Sequence, residues 1–317
     1  MSQVWGLVRA ALKRGNKTQL NDWFSRGAPI AFPALTSMKQ VKASMFQKQL
    51  VAFNRLHTWS RDELHPCFPQ LLGLPQHINA LLDPRSPFPL VGLVHLRNSL
   101  STFAPIDNDD LTICCQLGGV SLHRKGITVE LALSITQGAT LCQTTRSTYL
   151  YRIDSTSSQQ DEADKSTRSQ AQKFTQSCDD QVLRFDSGAG RRYARVSGDF
   201  NPIHLYAWSA KLLGFKAAIA HGMHVLAKTL SAIDQQTPFG QSSFVVNNSF
   251  NNPATLPCDL ALKAAPSAQG FPVGCAFDVV NTQVTARKQL VLSGSVQPLQ
   301  AEGDDDFSSL GAAPMPE

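Results

Sequence analysis

The sequence is short of charge. Only 17% of its 317 residues are Asp, Glu, Lys or Arg, against 42% apolar ones. It therefore lacks the charge excess that keeps a chain disordered, and most of it should fold. Its 29 Lys and Arg are scattered, and the net charge is only +5. No stripe of cations interleaved with aromatics is present, which argues against nucleic acid as a partner. The mildly basic balance also suits an anionic carrier, coenzyme A or an acidic acyl carrier protein, and charge alone does not choose among these. Paired cysteines are missing too. The seven present (Cys67, Cys114, Cys115, Cys142, Cys178, Cys258, Cys275) are odd in number and show no C-x-x-C spacing. Reduced thiols, a cytosolic location and no structural zinc are the expectation. Nor is there a long apolar run. Met1–Arg14 reads as a short amphipathic helix interrupted by Arg9, a poor signal peptide and too short to span a membrane.

What is present is a pattern that occurs twice. A chain of 317 residues suggests two domains or one duplicated unit. In the first half, Val41–Trp59 reads as a strand leading into a helix. Pro66, Pro69 and Pro75 break the chain, and Gln76–Leu82 reads as a buried helical segment ending at Asp83-Pro84. Four β-type runs follow, Val91–Ser101, Asp110–Leu117, Ile127–Thr136 and Thr140–Arg152. Residues 154–180 carry a polar tract with nothing to anchor it to a core, and read as a linker. The second half then repeats the order. A short strand (Gln181–Phe185) leads to an irregular helical stretch through Gly214 and an apolar helix at about Gly222–Ile233. Four runs close it, Ser242–Asn251, Asp259–Ala265, Phe271–Val280 and Gln289–Gln297. The segment Val94–Ile106 also aligns without gaps on Phe244–Leu256, with Asn98/Asn248, Ser99/Ser249 and Ala104/Ala254 identical. Each half is thus a helix followed by an antiparallel meander, and the tail from residue 301 reads as disordered.

Chemistry concentrates in one place. Asp199, Asn201 and His204 stand within six residues of one another in a largely apolar stretch. Ser197-Gly198-Asp199 and Asn201-Pro202 are turn signals, so the three residues taken alone describe a capped turn with an exposed histidine. Their surroundings add Tyr193, Ile203, Ala210, Gly214-Phe215 and Ile219-Ala220-His221-Gly222-Met223. The whole resembles the active-site signature of the MaoC-like (R)-specific enoyl-thioester hydratases, also called hydratase 2. Tyr206 departs from that pattern, in which many members carry an acid.

The resemblance implies an α+β double hot-dog fold, two curved antiparallel sheets each wrapping a central helix. Residues 1–153 would be a degenerate hot dog, 154–180 a linker, 181–300 the catalytic hot dog and 301–317 a tail. Val51–Trp59 lacks the signature, so one site per chain is expected. The implied reaction is reversible hydration of trans-2-enoyl thioesters on coenzyme A or acyl carrier protein, with no metal or other cofactor. Asp199 and His204 would bind the water and pass protons, and which of them is the base stays open. Asn201 would support the water or merely shape the turn. Gly222, at the start of the apolar helix, would let the thioester oxygen approach free backbone N–H groups. His221 reads as a first-turn residue satisfied by the backbone, His224 as structural, and Lys211, Lys216, Arg191, Arg192 and Arg195 as solvated charge. A hot-dog thioesterase and a non-catalytic acyl-binding subunit are the competing readings. A monomer would suffice as a pseudo-dimer, and a homodimer is compatible.

Overall fold

The structure, a computed structural model, describes residues 13–27, 30–153, 181–236, 243–266, 274–285 and 289–299. The leading helix before Lys13, the 154–180 linker and the tail lie outside the described residues.

Alternation of apolar and polar residues builds the strands, and the strands form one sheet. After helix α1 (Lys17–Arg26) come β1 (Leu35–Val41), α2 (Ala43–His57) and α3 (Phe68–Leu82). The meander β2 (Leu93–Thr102), β3 (Leu111–His123), β4 (Gly126–Gln137) and β5 (Thr140–Arg152) follows. The second set is β6 (Gln181–Phe185), α4 (Ala189–Ser197), a 3-10 turn (Pro202–His204), α5 (Ala207–Leu212) and α6 (Gly222–Gln236). It closes with β7 (Phe244–Phe250), β8 (Cys258–Pro266), β9 (Cys275–Val280) and β10 (Leu290–Pro298). The sheet order β1-β3-β4-β5-β2-β7-β10-β9-β8-β6 is the same five-strand order read outward from its centre in both directions.

The centre explains the sequence echo. β2 and β7 pair antiparallel with Asn98 facing Asn248, Arg97 facing Ser249 and Ser99 facing Asn247. Two equivalent strands paired in this way are related by a two-fold axis, here passing between the two asparagines. This is the double hot dog, with α3 and α6 as its two central helices.

Each half buries an apolar layer. Ile127, Val129, Leu131, Leu133 and Ile135 alternate along β4, all fully buried, and Phe68, Leu71, Leu72 and Leu81 of α3 join the same core. Gly73 is required there, because a Cβ would lie 2.4 Å from Leu133 Cδ1. The second core takes Val225, Leu226, Leu230 and Ile233 from α6. Lys13 donates to the carbonyls of Leu81 and Asp83, tying the chain start to the carboxyl end of α3, where a cation complements the helix dipole.

Two sequence expectations need correction. The helix does not wait for Gln76: it begins at Phe68, with Pro69 in its first turn and Pro75 inside it. A first-turn proline forfeits no intrahelical bond, and the single bond lost at Pro75 is outweighed by a helix buried over most of its length. β3 also runs six residues past Leu117, because Gly118-Gly119 forms a bulge, with Gly119 at φ +56°, instead of a turn.

A set of neutral histidines joins the halves. His57 Nδ1–H donates to the Phe53 carbonyl at 2.8 Å, which leaves Nε2 to accept from His224 Nδ1 at 2.9 Å. His65 Nδ1 accepts from the Cys67 N–H and Nε2–H donates to the Ala227 carbonyl at 3.0 Å. Burial lowers His57 and His77 to about 4, and His65, His95 and His221 to about 3. The folded chain therefore refuses protons that the unfolded chain accepts below pH 6.5. Stability is full above that pH and falls by about 1.4 kcal/mol per pH unit per histidine as pH drops toward the folded values. All five act in the same direction, so the fold loses stability as the medium is acidified below the ordinary histidine pKa. Far-UV circular dichroism against pH should show cooperative unfolding between roughly pH 6 and 4, and an unchanged spectrum at pH 4 would contradict this reading.

Candidate active site

The site is a chain of short turns between α4 and α6. α4 ends at Gly198, whose φ of +78° suits glycine and whose N–H reaches the Ala194 carbonyl. The Asp199 N–H donates to Ser197 Oγ at 3.1 Å, and Asp199 Oδ1 accepts the Asn201 N–H at 3.1 Å. Asn201 Oδ1 in turn caps the 3-10 turn at the Ile203 N–H, 3.4 Å away. The turn stands close against α4: a Cβ on Gly190 would lie 2.0 Å from the His204 carbonyl oxygen.

The returning strand segment fixes the imidazole. The Ile219 N–H donates to the Ile203 carbonyl at 3.0 Å, and His204 Nδ1–H donates to the Ile219 carbonyl at 2.9 Å. With its proton on Nδ1, His204 carries its lone pair on Nε2. Burial lowers its pKa, and this outweighs the Asp199 carboxylate, which raises it. His204 is therefore neutral at pH 7, although a carboxylate beside a histidine reads in sequence as favouring imidazolium.

His221 is bonded to the backbone as the sequence suggested, and it also lies over His204. Its ring stacks on that of His204 with centroids 3.7 Å apart. Its Nε2 lies 3.1 Å from the Asp199 carbonyl and 3.8 Å from Asp199 Oδ2, while its buried Nδ1 has no partner. His224 is structural, held between His57 and the ring of Tyr193.

Ligand atoms of Asp199, His204 and His221 all lie within 4.8 Å of one another, the donor set of a metal site. The stacking opposes that use. An imidazole binds an ion in its ring plane, and two rings stacked 3.7 Å apart and 25° from parallel keep their lone pairs in two separate, nearly parallel planes, which disfavours convergence on one ion. The arrangement suits proton transfer.

Gly222 opens α6 as expected, leaving first-turn N–H groups without intrahelical acceptors. Its missing Cβ also makes room for Phe250, whose Cε1 would be only 2.6 Å from a Cβ there. Phe250 packs on His95 of β2 (4.5 Å between centroids), and His95 stacks on Tyr149 of β5 at 4.4 Å. The first half thus builds one wall beside Asp199, His204 and His221, which all come from the second. His95 Nε2 is buried without a partner.

Of the flanking cations, Arg191 donates to the Leu205 carbonyl and covers Tyr206, and Arg192 pairs with Asp186, so neither is simply solvated. Tyr206, at the position where an acid was expected, lies between Arg191 and Trp208. Among the described residues no helix is long and apolar enough to cross a membrane, and no two described cysteines form a disulfide.

The chain is similar to several known proteins. Residues 161–265 match the MaoC like domain. The chain is 27% identical over 205 residues to 3-hydroxyacyl-thioester dehydratase X of Mycobacterium tuberculosis (strain ATCC 25618 / H37Rv), spanning 64% of this chain and 70% of that protein. The crystal structure of HtdX of Mycobacterium tuberculosis superposes with a TM-score of 0.66 at 22% identity, over 84% of this chain and all of that one. A MaoC-like dehydratase from Phytophthora capsici gives 0.62 at 16% identity, over 85% of this chain and 96% of that one. At such identities the two structures speak for the fold.

Proposed function

We propose that this chain, whose residues 161–265 match the MaoC like domain, is a hydro-lyase that reversibly hydrates trans-2-enoyl thioesters to (R)-3-hydroxyacyl thioesters. The observation that supports this most is the neutral His204, with Nε2 free beside Asp199 and ahead of the α6 amino terminus.

In the hydration direction, water sits between the Asp199 carboxylate and His204 Nε2. Its oxygen bonds to C3 as Nε2 takes its proton, and the electron pair of the C2–C3 double bond moves onto the thioester as an enolate. The first-turn N–H groups at Gly222 stabilise that oxyanion. Nε2 then returns the proton to C2, so water is consumed and the dyad is regenerated. Dehydration is the reverse. Asp199 orients the water and supports the transient imidazolium. His221, stacked on His204, holds the ring, and Asn201 shapes the turn that presents both groups.

On this reading residues 181–300 are the catalytic unit and residues 1–153 the supporting one, so a single chain suffices. The exposed apolar side chains of Phe200, Tyr206, Trp208 and Leu212, with Lys211 among them, lie beside the site and suit a pantetheine carrier, coenzyme A or acyl carrier protein.

Crotonyl and octenoyl thioesters should lose enoyl absorbance on addition of the protein. Because His204 stays neutral below its ordinary pKa, the rate should persist below pH 6.5 so long as the fold does. Release of free thiol in place of hydration would point to a thioesterase, and no turnover on any chain length or carrier would sink the proposal.

A further inference from the structure

The charges of the chain are unevenly placed. Trp23–Arg61 holds six Lys and Arg and no Asp or Glu, and Ser187–Ile233 holds six and a single acid, Asp199, although the whole chain has 24 Asp and Glu. The fold brings these two segments together. Gln49 of α2 donates from Nε2 to the Val196 carbonyl of α4 at 2.6 Å, and the His57 ring of α2 lies 5.9 Å from that of Tyr193. Arg191 of α4 donates to the Leu205 carbonyl at 2.8 Å, and Ser209 of α5 to the Pro202 carbonyl at 2.7 Å. Thus α2, α4, the 3-10 turn and α5 are joined one to the next, and the Asp199 side chain, 37% exposed, opens to solvent among them.

These elements expose side chains of two kinds. Lys42, Lys48, Arg55, Arg195, Lys211 and Lys216 are exposed and make no ion pair among the described residues. Arg61 and Arg192, in contrast, are neutralised by Asp234 and Asp186. The four most exposed large apolar side chains among the described residues are Leu212 at 79%, Met45 at 68%, Trp208 at 66% and Val51 at 65%, and all stand on α2 or α5. Along one side of α2 the two kinds alternate, as Met45, Lys48, Val51 and Arg55. A helix that lies on lipid separates its apolar stripe from its charges, whereas interleaved apolar and basic side chains suit a protein-binding surface.

A partner for this face must be acidic, must offer apolar side chains of its own, and must be wide enough to meet α2, roughly 22 Å long, as well as α5. A coenzyme A head group supplies the anion without the apolar width. We propose that the face formed by α2, α4 and α5 docks a small acidic acyl carrier protein, which delivers its acyl–phosphopantetheine arm to the opening at Asp199. The kind of partner rests on the thioester reading above; the face itself rests on the placement of its charges and exposed apolar side chains.

The test is calorimetric titration of the whole chain with a type II acyl carrier protein loaded with an octanoyl group, a saturated thioester that cannot be hydrated. The wild type is expected to bind it, and Lys48→Glu, Arg55→Glu and Arg195→Glu together should weaken binding by about tenfold or more. The same change of net charge made outside these segments, by the exposed substitutions Lys17→Glu, Lys125→Glu and Arg152→Glu, should weaken it by less than about threefold. Hydration of crotonyl-N-acetylcysteamine, which has no carrier to dock, should stay within about twofold in both triple variants. No binding by the wild type, or equal losses in the two triple variants, would overturn the proposal. So would an equal loss of affinity for octanoyl-coenzyme A, which would assign the face to a nucleotide, or binding to anionic phospholipid vesicles in place of the carrier protein. Carrier binding without hydration of any enoyl thioester would sink the hydratase reading and keep the face. Hydration without carrier binding would do the reverse.

Discussion

His204→Ala is expected to lower kcat for enoyl-thioester hydration about 10³-fold with some loss of melting temperature, and Asp199→Asn by a similar factor with the melting temperature little changed. The substitutions differ in what they leave behind. Asparagine retains an Oδ1 that can accept the Asn201 N–H, so the turn persists while the charge that orients water and supports imidazolium is gone. Alanine at position 204 removes Nε2 itself together with the Nδ1 bond to Ile219. Because the two groups act on one water, the double variant should be hardly slower than either single one, as expected of residues that work as a unit. Steady-state kinetics on octenoyl-coenzyme A read this directly. Multiplicative losses would mean that the groups act independently.

Gly190→Val should be nearly as damaging although the residue touches no substrate. Its Cβ would fall 2.0 Å from the His204 carbonyl oxygen, a backbone atom with no rotamer to escape into. The 3-10 turn must move, carrying the imidazole with it. Overpacking of this kind costs about 1–3 kcal/mol, and displacing an acid–base group by roughly 1 Å costs about 100-fold in rate. Gly188→Ala is the control, because the added methyl there would meet the far end of the Arg192 side chain, which can swing away. Kinetics paired with thermal melts of the two variants should separate them cleanly, and equal behaviour would mean that the contact between α4 and the turn does not position the site.

The meander strands were legible because alternation reports a half-buried surface, and Gln181–Phe185 was read to the residue. The echo between Val94–Ile106 and Phe244–Leu256 was more informative than any single element, since its matched pair Asn98 and Asn248 lies on the two-fold axis that relates the halves. What sequence could not supply came from distance. Nothing in Val94-His95 says that this side chain will stack between Tyr149 and Phe250 at the wall of the other half's site. Local signals also misled at α3, where proline is read as a breaker unless the burial of the whole helix is known. In the site, the turn chemistry of Asp199 and Asn201 was readable, but the protonation of His204 was not. The adjacent carboxylate is visible in sequence, and the burial that outweighs it is a property of packing.

The central claim is that one dyad, on one face of the substrate, both takes the water proton and returns it. Hydration of trans-2-octenoyl-coenzyme A in deuterium oxide, with the product's relative stereochemistry read by nuclear magnetic resonance, tests it most directly. The account predicts a (3R)-hydroxyl with deuterium added at C2 on the same face. Addition to opposite faces would contradict it, because it would require a second acid across the substrate from Asp199 and His204.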